Sequence, residues 1–176
     1  MSTIASEHSA HAEGTITTAS ARGAHAEGSG SVASGLYAHA EGDHATASNT
    51  ACHAEGVYTT AGGTAGGKYS HAEGAYTTAT GSESHAEGWH TTANHRAQHV
   101  FGEYNIPDQA TTVETNRGTY IEIVGNGTIQ GQSNARTLDW HGNEVLSGGL
   151  TLGGTLTIGN TTITEAQLQA LLAMLS

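Results

Sequence analysis

The chain holds little of what usually stabilises a small protein. One proline, one cysteine, one phenylalanine and two tryptophans are spread over 176 residues. A lone cysteine, Cys52, excludes an internal disulfide and the cysteine-rich zinc frameworks. So few large apolar side chains fill only a thin core, and a chain that buries little needs another source of stability, such as association. Basic residues are also scarce: 5 Lys and Arg face 16 Asp and Glu, a formal charge of −11. Phosphate backbones and anionic membranes are bound by basic surfaces, so nucleic acid is not expected as a partner. No apolar run approaches the ~20 residues of a spanning helix, so membrane insertion is not expected. The opening MSTIASEHSA has neither a basic nor an apolar stretch, so the expectation is synthesis in a cytoplasm without a signal peptide.

What is plentiful is glycine, 25 in all, and one tetrapeptide, HAEG. It stands at residues 11–14, 25–28, 39–42, 53–56, 71–74 and 85–88, and a degenerate copy, HVFG, follows at 99–102. The intact copies are 14 residues apart except for one step of 18, which contains TAGGTAGG at 60–67. A unit of this length is too short for a helix pair, and its Gly, Thr and Ala content suits a parallel β-solenoid with two strands per coil. Counted from each motif glycine, the third position is Thr17, Ser31, Ala45, Thr59, Thr77, Thr91, and the fifth is always Ala, from Ala19 to Ala93. The position before each His, and the Ala inside HAEG, are also small or near-small. Strand side chains alternate faces, so these columns point into a narrow interior where nothing bulky fits. The motif glycines, with Gly35, Gly63 and Gly81, are expected at the bends. Seven coils at about 4.8 Å give a rod of roughly 30 Å.

The same alternation puts the His and Glu of each motif outside. One column holds His11, His25, His39, His53, His71 and His85; the next holds Glu13, Glu27, Glu41, Glu55, Glu73 and Glu87. Like charges stacked about 5 Å apart repel, and a solvated face would tolerate drift, as the opposite Ser/Thr face does drift. The leading reading is a homotrimer with this face on the threefold axis and His–Glu hydrogen bonds between chains. A divalent transition metal held by the six histidines, or a merely solvated face, are the competing readings. Six identical pairs without a varied pocket do not suit catalysis, and no catalytic residue is assigned.

With SHAEG, TTA and the period in hand, residues 6–104 resemble the left-handed parallel β-roll of trimeric autotransporter adhesin heads. That family carries Val and Ile where this chain has His and Glu, facing the trimer centre. The chain is also similar to tail-fibre or baseplate proteins of tailed phages and prophages. There SHAEG/TTA repeats are followed by segments like QHVFGEYNIPD, YIEIVGNGT and SNARTLDWHGNEVLSG, in that order. The resemblance implies a virion protein, contacts with other phage tail or baseplate proteins, and host contact; the alternative reading is an adhesin head that binds a host-surface glycan or another host surface. Tyr37, Tyr58, Tyr76 and Trp89, on the outer corners, are the candidate receptor residues.

The expected organisation is all-β: a β-roll at 6–104, a β-rich neck at 105–147, an intertwined β shaft at 148–163 and a trimerisation helix at 164–176. Val100, Phe101, Tyr104 and Ile106 are expected to close the roll, and Pro107-Asp108 to start a linker. TYIEIV reads as a strand, Gly125-Asn126-Gly127 as a turn, and 135–146 as a hairpin around His141-Gly142. Thr164 and Gln167 match a capping box, and Leu168, Leu171, Leu172 and Leu175 form one helical stripe.

Overall fold

A computed structural model describes residues 3–63, 67–111, 117–153 and 155–174. It is a parallel β-solenoid whose coils follow the HAEG period. One sheet stacks seven two-residue strands: Ile4–Ala5, Thr18–Ala19, Val32–Ala33, Thr46–Ala47, Thr60–Ala61, Thr78–Ala79 and Thr92–Ala93. The other begins with seven five-residue strands: His11–Thr15, His25–Ser29, His39–Asp43, His53–Val57, His71–Ala75, His85–Trp89 and His99–Glu103. The six intact HAEG motifs pair in register, so His25 meets His39, Ala26 meets Ala40 and Glu27 meets Glu41. The long step does not break it: Glu55 pairs with Glu73 and Thr60 with Thr78.

The interior is the thin one that the small columns predict. Ala19, Ala33, Ala47, Ala61, Ala79 and Ala93 are fully buried, as are Ala26, Ala40, Ala54, Ala72 and Ala86. The third-position column from Thr17 to Thr91 and the column Ala24, Ala38, Cys52, Ser70, Ser84, Gln98 complete it. Cys52 is buried and free, its thiol donating to the Gly67 carbonyl at 3.0 Å.

The motif glycines lie within the long strands rather than beyond them, and each kinks its strand with φ between 95° and 116°. The true corners are two columns of left-handed residues. One runs Ile16, Gly30, His44, Tyr58, Tyr76, His90, Tyr104; the other runs Ser9, Gly23, Tyr37, Ala51, Tyr69, Glu83, Ala97. Most are not glycine, although a left-handed L-residue costs roughly 1–2 kcal/mol. The ladders on both sides hold each corner in place.

The neck continues the roll. Tyr120–Asn126 adds in parallel to His99–Glu103, and Ile123 extends the buried line that includes Ala86 and Val100. Asn134–Asp139 and Glu144–Leu146 then pair antiparallel, the hairpin expected around His141. Gly125 and Asn126 belong to the strand rather than to a turn. Gly125 pairs with Gly102 as the next glycine of the column, and a Cβ on it would stand 2.6 Å from the Glu103 carbonyl oxygen and 2.9 Å from the Asn105 nitrogen, which is why glycine stands there.

The roll's last edge is closed by polar groups more than by apolar ones. Val100 and Tyr104 are buried, but Ile106 is exposed and Phe101 half-buried. An open strand edge presents unpaired N–H and C=O groups, which only polar partners satisfy. The buried Asn105 amide meets both backbone groups of Thr92, accepting at 2.7 Å and donating at 3.2 Å. Gln98 accepts from the Asn94 N–H and donates to the Tyr120 carbonyl. Asp108, read as the start of a linker, is instead buried and accepts from the N–H groups of Ala110, Thr119 and Tyr120.

Beyond Leu146, Leu156–Ile158 and Thr161–Ile163 form an antiparallel hairpin, and the helix Glu165–Ala173 carries the expected Thr164/Gln167 capping box. Leu168, Leu171 and Leu172 are exposed on it, while Leu175 lies outside the described residues. Leu150, Leu152, Leu156 and Ile158 are exposed as well.

Candidate functional site

The alternation of the long strands sets one imidazole over the next. Rings from His25 to His85 stack with centroids 4.7 Å apart and interplanar angles of 1–19°. His99, in the degenerate motif, continues the stack at 5.0 Å, and Phe101 replaces the carboxylate beside it, 5.2 Å from the His99 ring. At the other end the His11 ring turns edge-on and its Nδ1 lies 3.3 Å from His25 Nε2.

The Nε2 atoms of His39, His53, His71, His85 and His99 are shut off from solvent and have no hydrogen-bond partner. Carboxylate oxygens stand 3.6–4.0 Å from them, outside hydrogen-bond range. In the second, third and fourth motifs each Glu faces its own motif's His, as His39 faces Glu41 at 3.7 Å. Glu73 reaches two: one oxygen is 4.0 Å from His71 and the other 3.6 Å from His85 of the next coil. Two sets, His53–Glu55–His71 and His71–Glu73–His85, bring their ligand atoms within 4.8 Å of one another. Glu27, Glu41 and Glu55 line a shallow groove of about 450 Å³ over Gly42, Gly56 and Gly74.

No family model, curated protein or solved structure matches this chain. Its site is therefore read from its own geometry. Crowding of like groups sets the protonation of the ladder. The Glu73 carboxyl is pushed up to about 7, chiefly because it shares hydrogen bonds with Glu87 and Glu55, and secondarily by burial. Burial raises Glu41 as well, and the bond to Glu73 lowers Glu55. His39, His71 and His85 are held below the ordinary imidazole value, first by burial and then by neighbouring histidines.

These shifts act on stability in opposite directions. A raised Glu73 favours the fold below its ordinary value of 4.5, and that contribution is lost as pH rises to about 7. The lowered histidines favour the fold above 6.5, and their contribution is lost as pH falls through their depressed values. Glu73→Gln removes only the first. At pH 4 it should melt with the parent, and the variant should gain on the parent as pH rises from 4.5 to about 7. Discounted for solvent screening of a partly exposed side chain, the plateau gain is on the order of 1 kcal/mol, or about 2–4 °C. Thermal unfolding by circular dichroism across pH 4–8.5 reads it; a constant offset would refute the shared proton.

The candidate receptor residues do not form one patch. Tyr58, Tyr76 and Trp89 share a corner, whereas Tyr37 stands in the other corner column with the Arg22 guanidinium 5.4 Å from its ring. His44, Tyr58, Tyr76, His90 and Tyr104 stack face to face at 4.5–5.4 Å. Most ring faces in this column are thus occupied, leaving edges and hydroxyls outward. Trp89 packs against Tyr104 edge-on. Tyr58 and Tyr76 are legible in the sequence as corner residues, but His44 and His90 on either side of them are not, because Tyr and His are mixed there without a shared motif.

Proposed function

We propose that the protein is a non-enzymatic structural rod, working as a homotrimer with its His/Glu face on the threefold axis, in the tail or baseplate of a phage or phage-like particle. One observation supports the trimer: the face that repeats without variation carries stacked, partly exposed carboxylates and imidazoles that the single chain holds 3.6–4.0 Å apart, beyond hydrogen-bond range. A buried imidazole nitrogen without a partner is costly, and so are carboxylates stacked rung on rung. A neighbouring chain would supply donors to the carboxylates and, by covering the face, would tighten the long His–Glu contacts. The exposed leucines of the C-terminal hairpin and helix call for the same remedy.

The particle setting rests on the quoted motifs and their order. The passive role rests on repetition: the same two side chains recur in coil after coil, with no single constellation of nucleophile, base and oxyanion donors. Host contact would fall to the corner bearing Tyr58, Tyr76 and Trp89, through ring edges and hydroxyls more than through sugar stacking.

Light scattering on the purified full chain tests the reading. The expected mass is three times 17.9 kDa. Replacing His39 and His53 by Ala should raise the dissociation constant at least about tenfold, or roughly 1.4 kcal/mol. Replacing Thr46 and Thr60, on the opposite face, should leave it unchanged. A monomeric parent, or equal small effects of the two pairs, refutes the buried axis.

A further inference from the structure

We infer that the middle of the ladder binds one divalent transition-metal ion per chain, through His71 together with either His53 and Glu55 or His85 and Glu73. Among the described residues only these two sets bring three ligand atoms within 4.8 Å of one another. They share His71, so filling one set takes a ligand from the other; hence one ion rather than two. The Nε2 atoms of His53, His71 and His85 have no hydrogen-bond partner, so an ion displaces none when it takes them. Glu73 already stands between two imidazoles, one oxygen toward each.

The donor set selects the ion. Two imidazoles and one carboxylate suit Zn²⁺, Co²⁺ or Ni²⁺, whereas Mg²⁺ and Ca²⁺ require oxygen ligands. Bonds of about 2.0–2.1 Å put tetrahedral ligand atoms about 3.3 Å apart. The rings must therefore leave their parallel stack and converge by roughly an ångström or more. These side chains are about a third exposed, which leaves them room to swing. A Glu-lined groove runs beside the column, and a chain of net charge −11 draws cations to it; the Nε2 atoms, closed to solvent in the stack, become reachable as the rings swing out. A fourth position stays open, for water or for a group from another chain. All three protein ligands come from one chain, so the site does not depend on the trimer.

The test is titration of the EDTA-stripped full chain with CoCl₂, followed by ZnCl₂. One equivalent of Co²⁺ should bind with the visible absorption of four-coordinate nitrogen and oxygen ligation. Zn²⁺ should displace it, and excess Mg²⁺ should not. His71→Ala should weaken binding at least about tenfold, and so should the double change Glu55→Gln, Glu73→Gln. His25→Ala, in the same column but in neither set, should leave it intact. Absence of saturable binding, or equal weakening by His25→Ala and His71→Ala, overturns the site. Should circular dichroism show His71→Ala unfolded, the glutamine pair decides, since it keeps the volume of both side chains. Light scattering of the same samples scores association separately: a monomer that binds Co²⁺ refutes the trimer and keeps the site.

Discussion

Gly42→Ala should prevent the roll from forming a continuous stack. Gly42 has φ +116°, and a Cβ placed on it would stand 2.1 Å from the carbonyl oxygen of Gly56 and 3.0 Å from its nitrogen. Both obstacles are backbone. They cannot turn aside as a flexible side chain can, and moving them pulls apart the ladder between the third and fourth HAEG strands. Conformational strain alone costs roughly 1–3 kcal/mol. With the collision added, the loss should exceed about 4 kcal/mol, at the extreme of what single substitutions do. Each coil touches only its neighbours, so the damage should divide the rod at this rung. Urea unfolding followed by circular dichroism measures it, with Gly131→Ala as control. A Cβ at Gly131 meets nothing within 4 Å, and the change should stay within about ±0.5 kcal/mol. An unchanged urea midpoint for Gly42→Ala would contradict the close approach.

Ala54→Leu should be nearly as damaging. Ala54 is fully buried and pairs with Ala72, while Ala40 pairs with it from the other side. The space before it is bounded by other small side chains, among them Ala61, Cys52 and Ser70, all buried. Overpacking a core typically costs about 1–3 kcal/mol. The upper end or beyond is expected here, because a closed coil cannot widen without breaking pairing in both sheets. About 3 kcal/mol corresponds to roughly 6–12 °C for a chain of this size. Thr46→Leu, on the outer face of the Thr/Ala sheet, should cost little by comparison. Thermal unfolding of the two variants side by side decides it; similar melting would mean that the interior is not the filled, narrow space described.

Much of this was legible in the residues. The 14-residue step gives the coil, and the small columns give the interior, since Ala, Ser and Thr dominate where the strands face inward. Placing His and Glu outside follows from the same alternation. Less legible were features set by neighbours in space. Ile16, His44, Ala51 and Glu83 share a left-handed corner backbone but no chemistry, so no residue pattern announces it. Gly125 follows Gly102 in the glycine column only after a long excursion of chain, and so reads locally as a turn. Asn105 and Asp108 close an edge by imitating backbone, and their sequence resembles a loop until the unpaired edge is seen. In the ladder, sequence supplied the two columns but not the coil at which Glu73 turns to face two histidines.

The coil that carries the 18-residue step returns to register on both sheets. Four extra residues within one coil therefore leave the strand pairing above and below it unchanged. Length and surface become separable, heritable quantities: duplicating one repeat's coding sequence advances the tip by about 4.8 Å, while inserting codons at a corner decorates the shaft without lengthening it. A lineage carrying this architecture can alter its reach and its decoration by independent mutations, each leaving the other unchanged.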